Sequence, residues 1–207
     1  MQKKLIKLTE KNKSQLLSKL LIWYYNQSKE YPWRLSTDPY AIWLSEVMLQ
    51  QTGVDTAIPY YHRWLQSFPS VQSVANTSID HILKTWEGLG YYNRAKNFHK
   101  SCQIIIKDYG GSIPQDLSSF KKLPGVGDYI AAAVMSIAFN MEIPTMDVNA
   151  IRVISRLFSI GGPITQAKKK IIKKLSLLID SKSPGDFNQA IMDLGREICT
   201  FANPDCN

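Results

Sequence analysis

Apolar positions along the chain recur at helical spacing, and strand-type alternation is nowhere sustained. Leu16, Leu17, Leu20, Leu21 and Tyr24 fall on one helical face. The stretch from Tyr31-Pro32-Trp33-Arg34 to Asp38-Pro39 reads as a loop, because each proline restricts the residue before it. Residues 39–52 follow as a helix with Ile42, Val47 and Leu49 among its apolar positions. Shorter helices are predicted over 70–75, 78–85, 95–109 and 117–122, with breaks at Pro69, Gly88-Leu89-Gly90, Gly110-Gly111 and Pro114. A further helix opens just after Gly127 and carries Tyr129-Ile130-Ala131-Ala132-Ala133-Val134-Met135, and helices over 148–160, 166–178 and 186–200 complete the set. The chain shows no repeat and no flexible linker, so any two lobes share it intimately. The fold class is all-α.

Composition narrows the partner more than the fold. At 207 residues the chain holds one large domain or two small interleaved lobes, and 44% hydrophobic residues suffice for a core. Charged residues make up 20% and low-complexity tracts are absent, which argues against disorder. The net charge of +8 favours a polyanionic partner, nucleic acid first, although generic basicity gives the same number. Met1-Gln2-Lys3-Lys4-Leu5 is too polar for a signal peptide, and no apolar run reaches the roughly 18 residues of a membrane span. Three cysteines, Cys102, Cys199 and Cys206, are an odd count in a chain without a signal, which points to a reducing, cytoplasmic compartment.

Four constellations carry chemistry. Leu123-Pro124-Gly125-Val126-Gly127-Asp128-Tyr129 places two glycines around one apolar residue at the start of a helix. Such a turn lets backbone approach a ligand, and helix-start amides with their dipole favour an anion such as phosphate. An ordinary interhelical turn is the alternative. In Ser45-Glu46-Val47-Met48-Leu49-Gln50-Gln51-Thr52, Glu46 sits in an otherwise apolar stretch, where burial raises a carboxyl pKa and suits it to general acid work. On an amphipathic helix it would instead face solvent. Gln50, Gln51 and Thr52 can read base edges or simply end the helix. Trp86-Glu87-Gly88-Leu89-Gly90-Tyr91-Tyr92 either wedges Leu89 between base steps or packs its apolar side chains inward. Met146-Asp147-Val148-Asn149 precedes an amphipathic helix, so Asp147 is at least an N-cap, a role compatible with catalysis. Cys199 and Cys206 have a spacing that suggests thiolate ligation but make half a site, whereas Cys102 belongs to an apolar helix and to the core. The run Lys168-Lys169-Lys170 with Lys173 and Lys174 reads as a solvated face.

These motifs, in this order from about Tyr31 to Cys206, resemble the endonuclease III superfamily of helix-hairpin-helix DNA glycosylases, and within it the A/G-specific, adenine-excising branch. The matches include Pro32-Trp33-Arg34, Trp43 to Thr52, Gly88 to Tyr92, Leu123 to Gly127, Phe187-Asn188-Gln189-Ala190 and Met192-Asp193-Leu194-Gly195. The resemblance implies a six-helix barrel lobe over 29–139, a second helical lobe from 1–28 and 140–207, and a catalytic cleft between them. It implies a base-excision-repair enzyme that hydrolyses the N-glycosidic bond of adenine mispaired with guanine or 8-oxoguanine in double-stranded DNA, the adenine being flipped out of the stack. By the same resemblance Glu46 protonates the adenine, and Asp147, supported by Asn149, stabilises the oxocarbenium-like sugar. Tyr129 stands where the lyase branch has its Schiff-base lysine, which implies a monofunctional enzyme. Trp33, Arg34 and Gln189 match residues around the flipped base. Gln51, Thr52 and Leu89 match those probing the opposite strand, Gln50 and Tyr91 are further candidates for substrate binding, and Gly125, Val126 and Gly127 match the phosphate clamp, with an alkali cation. A monomer is implied.

Three departures accompany the match. Val148 replaces the glycine that follows the catalytic Asp, and a β-branched residue resists a positive φ. Cys199 and Cys206 match two of the four ligands of a [4Fe-4S] cluster, so the cluster is expected in the full-length family and doubtful here. The branch's C-terminal domain, which senses oxidised guanine, lies outside this sequence, so a truncated chain with weakened opposite-base discrimination is expected. Competing expectations are a G:T mismatch thymine glycosylase on the same scaffold and a non-catalytic DNA-binding remnant.

Overall fold

The structure is a computed structural model describing residues 9–27 and 31–206. In chain order its elements are α1 (Glu10–Gln27), a 3-10 turn (Pro32–Arg34), α2 (Pro39–Met48), α3 (Val54–Ser67), α4 (Val71–Ala75), α5 (Ile79–Trp86), α6 (Asn93–Tyr109), α7 (Leu117–Phe120), α8 (Asp128–Phe139), α9 (Val148–Leu157), α10 (Ile164–Leu178) and α11 (Pro184–Glu197). No strand occurs among the described residues, and no helix there is long and apolar enough to cross a membrane. The described residues form two compact units: 31–139, and 9–27 together with 140–206.

In the first unit α2 is the central element. Asp38 caps it through the Tyr40 amide at 3.0 Å, and Pro39 supplies a preset first turn. All nine residues from Tyr40 to Met48 are buried, and α3, α6 and α8 pack around them. Aromatic side chains fill the spaces: Trp43 lies 4.3 Å from the Phe98 ring, and Trp64 meets Trp86 edge-on at 5.4 Å. Each such side chain is fully buried, a gain of roughly 1.5–3 kcal/mol apiece. The Tyr40 hydroxyl donates to the Phe68 carbonyl at 2.6 Å and accepts from the Trp64 indole at 2.9 Å, so these two polar tips are satisfied, whereas the buried Trp43 indole N–H has no hydrogen-bond partner among the described residues.

The second unit packs α1, α9, α10 and α11 around Leu20, Tyr24, Ile154, Ile171, Leu175 and Phe187. Leu16, Leu17 and Leu21 pack against that core from one side of α1, the face read from the sequence.

Several boundaries move. The helix expected over 39–52 ends at Met48, because Gln51 adopts a left-handed backbone (φ +59°) that no helix continues through. Helix α3 has no counterpart in the periodic reading, and Pro59 falls inside it. It forms nonetheless, because Ala57, Tyr61 and Trp64 make one buried face. Helix α9 stops at Leu157 and α11 runs Pro184–Glu197, each shorter at its C-terminal end than expected.

Candidate nucleic-acid and catalytic site

Glu46 lies in the last turns of α2 and is only 7% exposed, so it is not the solvent-facing carboxylate of an amphipathic helix. Beyond it the chain turns through Gln50, Gln51 and Thr52. Here the end of a buried helix presents carbonyls that have no helical partner. One side chain from α6 takes them up. Arg94 donates from one terminal nitrogen to the carbonyls of Val47, Met48 and Gln50, and from the other to those of Leu89 and Gly90 at 3.2 Å each. Its guanidinium also lies over the Trp86 and Tyr91 rings at 5.4 and 5.3 Å. Burial lowers the Arg94 pKa from its ordinary value, with Tyr91 opposing. Gln50, Gln51, Tyr91, Tyr92, Asn93 and Arg94 line a pocket of about 650 Å³.

At Leu89 the structure shows the inward-packed alternative of the two read from the sequence. The side chain is 5% exposed and packs inward, as an apolar side chain between two tight glycine turns can, while Tyr91 and Tyr92 stand in solvent. In this structure the aromatic rings of Tyr91 and Tyr92 are the exposed side chains of the turn. Trp33 is buried, stacked on Tyr31 at 5.6 Å and edge-on to Tyr61 at 5.4 Å, and Arg34 lies 4.9 Å over the Tyr31 ring.

The hairpin joins α7 to α8. Leu123 and Val126 are its buried pegs, and the Ser101 hydroxyl pins it to α6 by donating to the Pro124 carbonyl at 2.9 Å. Gly125 has φ +78°, and a Cβ there would stand 2.9 Å from the Asn97 Cβ, so the fold itself demands glycine. Gly127 differs: a Cβ there meets nothing within 4 Å. The packing of the protein therefore leaves room for a side chain at 127. Tyr129 sits half-buried in that first turn.

In the other unit Asp147 caps α9, accepting from the Ala150 amide at 2.6 Å and from the Asn149 side-chain amide at 2.9 Å. Arg152 donates to the Asn149 side-chain carbonyl at 2.7 Å, to the Gly195 carbonyl, and to the Cys199 carbonyl at 2.7 Å. α11 approaches α9 so closely that a Cβ on Gly195 would lie 2.6 Å from the Asn149 Cβ. The carboxylate is thus held by a chain of two side chains, Asn149 and Arg152, braced on the Gly195 carbonyl of α11. Val148 answers its own question. It is the first residue of α9, has no positive φ and exposes its side chain, so the β-branched residue is accommodated without strain. Gln189 is half-buried on α11. Its neighbour Asn188, 1% exposed, donates to the Ile143 carbonyl at 2.9 Å and accepts from the Thr145 amide at 3.0 Å, which fixes the segment leading to Asp147. Arg94, Arg152 and Asn188 escape sequence reasoning because their partners are mostly backbone groups distant in the chain.

Cys199 is half-buried and Cys206 exposed. Arg156 donates to the Cys199 sulfur at 3.3 Å and to the Thr200 carbonyl at 2.6 Å, so an arginine braces this segment. Two thiolates do not complete a four-ligand cluster set, and no group of three or more His, Cys, Asp or Glu able to hold a metal exists among the described residues. The residues present do not by themselves fit a [4Fe-4S] cluster. Cys102 is a core residue, fully buried, and burial pushes its thiol pKa up.

A buried carboxyl, a capped carboxylate, a hairpin opening onto a helix start and an all-helical scaffold define a class, and sequence comparison agrees with it. Residues 44–180 match the HhH-GPD superfamily of base excision DNA repair proteins, and the chain belongs to that family. Within it, the chain is 43% identical over 192 residues to an adenine DNA glycosylase of Buchnera aphidicola subsp. Acyrthosiphon pisum (strain APS), covering 90% of this chain and 54% of that protein. It is 40% identical to the adenine DNA glycosylase of Rattus norvegicus, covering 91% of this chain and 39% of that one. The chain therefore spans about half or less of the length of these curated relatives. Among solved structures a thermostable thymine-DNA glycosylase superposes with a TM-score of 0.87 at 27% identity, covering 97% of this chain and 93% of that chain.

Proposed function

We propose that this chain is the catalytic part of a base-excision-repair glycosylase that hydrolyses the N-glycosidic bond of adenine mispaired with guanine or 8-oxoguanine in double-stranded DNA. The observation that carries the reading is Glu46, a carboxyl buried inside α2 of a chain 43% identical to an adenine DNA glycosylase. Glu46 gives a proton to a ring nitrogen of the flipped adenine. The glycosidic bond then breaks with its electron pair on the base, and positive charge develops on the sugar. Asp147, oriented by its cap bond and by Asn149, stabilises that charge. Water adds to the sugar carbon, loses a proton and leaves an abasic site. Tyr129 cannot form an imine, so strand cleavage does not accompany excision. Trp33, Arg34 and Gln189 are assigned to the flipped base, and Gln50, Gln51, Thr52 and Tyr91 to the opposite strand. Gly125 to Gly127 are assigned to a phosphate.

The test is single-turnover excision on duplexes carrying one adenine opposite 8-oxoguanine, with and without alkali. Breaks are expected only after alkali. Glu46→Gln and Asp147→Asn should each slow excision by about 10²- to 10⁴-fold. Asparagine caps a helix as well as aspartate, so the second variant should stay folded. Full activity in Asp147→Asn would remove that carboxylate from the chemistry. Faster cutting of a G:T duplex would favour the thymine reading that the 0.87 superposition supports.

A further inference from the structure

Gln51 (φ +59°) and Tyr91 (φ +48°) are two of the four non-glycine residues with positive φ among the described residues, and both line the 650 Å³ pocket. Left-handed backbone in non-glycine residues costs energy and persists only where the surroundings over-determine it. The residue before each of them presents its carbonyl to the same group: the Gln50 and Gly90 carbonyls both accept from Arg94. We infer that Arg94 is a positioning residue for recognition of the strand opposite the excised base. Its planar fork locks two segments, 47–50 and 89–90, about 40 positions apart, and so fixes the left-handed conformers that aim Gln51 and Tyr91 into one pocket.

Several features support this. A guanidinium at the opening turn of α6 is disfavoured by that helix's own dipole, yet it suits the C-terminal carbonyls of α2. Only arginine offers donors on two terminal nitrogens held in one plane, so lysine keeps the charge but cannot bridge both segments. The Trp86 indole donates to the Gly90 carbonyl at 2.9 Å, so that carbonyl is held from two sides. Arg94 need not touch DNA to act. It sets where the side chains of its neighbours point.

The inference rests on the proposed adenine-glycosylase reading and deepens it. Its test is the ratio of dissociation constants for duplexes in which a non-hydrolysable adenosine analogue faces cytosine or 8-oxoguanine. The folded fraction cancels in such a ratio, so mere destabilisation leaves it unmoved. Arg94→Lys should lower the ratio about tenfold, the loss expected when one or two recognition hydrogen bonds are misplaced. A ratio within about twofold of wild type in folded Arg94→Lys overturns the inference. Should that variant not fold, Gly90→Ala decides. A Cβ at Gly90 meets nothing within 4 Å, but its φ of +72° strains alanine, so the change loads the clamp without a clash. It should lower the ratio too, and an unchanged ratio overturns the clamp. A wild-type ratio of one overturns the clamp, which then has no opposite-base preference to support, and so does a wild-type preference that both variants keep; the adenine reading itself fails only in the excision assay.

Discussion

A methyl group on Gly125 would press on the Asn97 Cβ at 2.9 Å from a backbone already at φ +78°. Two residues on, a methyl group on Gly127 would touch no protein atom within 4 Å. The fold therefore demands glycine at 125 and leaves room for a side chain at 127, where the proposed phosphate contact is the remaining reason for glycine. Gly125→Ala should lose about 1–3 kcal/mol in a denaturant titration, from left-handed strain plus overpacking. Gly127→Ala should stay within about 0.5 kcal/mol of wild type, as substitutions that disturb no buried contact do. The same Gly127→Ala chain should bind duplex DNA more weakly, since its new methyl group lies where a phosphate would meet the first amides of α8. Equal stability losses at both positions would remove the distinction, and undiminished DNA binding by Gly127→Ala would remove the phosphate from the hairpin.

At the scale of elements, α7 opens the hairpin motif and is only four residues long, so its cap matters more than its length. Asp116 accepts from the Ser118 hydroxyl at 2.7 Å and from the Ser119 amide at 2.8 Å, and these bonds hold its carboxyl down to about 2. A depressed carboxyl supports the folded form fully above its unfolded value, about 4, and loses that support as pH falls through about 2. The Ser119 amide resonance should follow a titration near 2, and a midpoint near 4 would mean that the cap does not form. Signals of this kind, local and polar, are what a sequence displays well. The buried run from Tyr40 to Met48, the hairpin glycines and the Asp147 cap all have short-range signatures. Helix α3 is not among the elements expected from the sequence, although Ala57, Tyr61 and Trp64 hold it from the core side with Pro59 inside it. The inward turn of Leu89 is undetermined locally, since an apolar residue between glycines packs or protrudes equally well until Arg94 and Trp86 fix the carbonyls beside it. Arg94 itself cannot be read, because nothing in a sequence marks a backbone carbonyl forty residues away as a partner.

For the molecule as a whole, the net charge of +8 is unevenly shared. Residues 31–139, which hold the hairpin and the Arg94 pocket, carry nine Lys/Arg against eight Asp/Glu, a net of +1. All other residues carry sixteen against nine, a net of +7, with Lys168, Lys169, Lys170, Lys173 and Lys174 gathered on α10. Lys168, Lys169, Lys170 and Lys173 are exposed there, opposite the buried Ile171 and Leu175. The positive charge thus lies mostly outside the hairpin unit, so the proposed attraction of DNA and the proposed recognition chemistry can be tested separately. Sequence-independent binding to duplex DNA should weaken at least about tenfold between roughly 50 and 200 mM salt, as a few neutralised phosphates require. Replacing Lys168, Lys169 and Lys170 with glutamine should flatten that dependence by about one unit of log–log slope for each lysine that meets a phosphate. It should leave the opposite-base ratio that tests Arg94 unchanged, because those lysines read no base. A slope identical to wild type would return α10 to a solvated face and leave the attraction to the scattered cations. A shift in the ratio would mean that general attraction and base recognition are not separable in this chain.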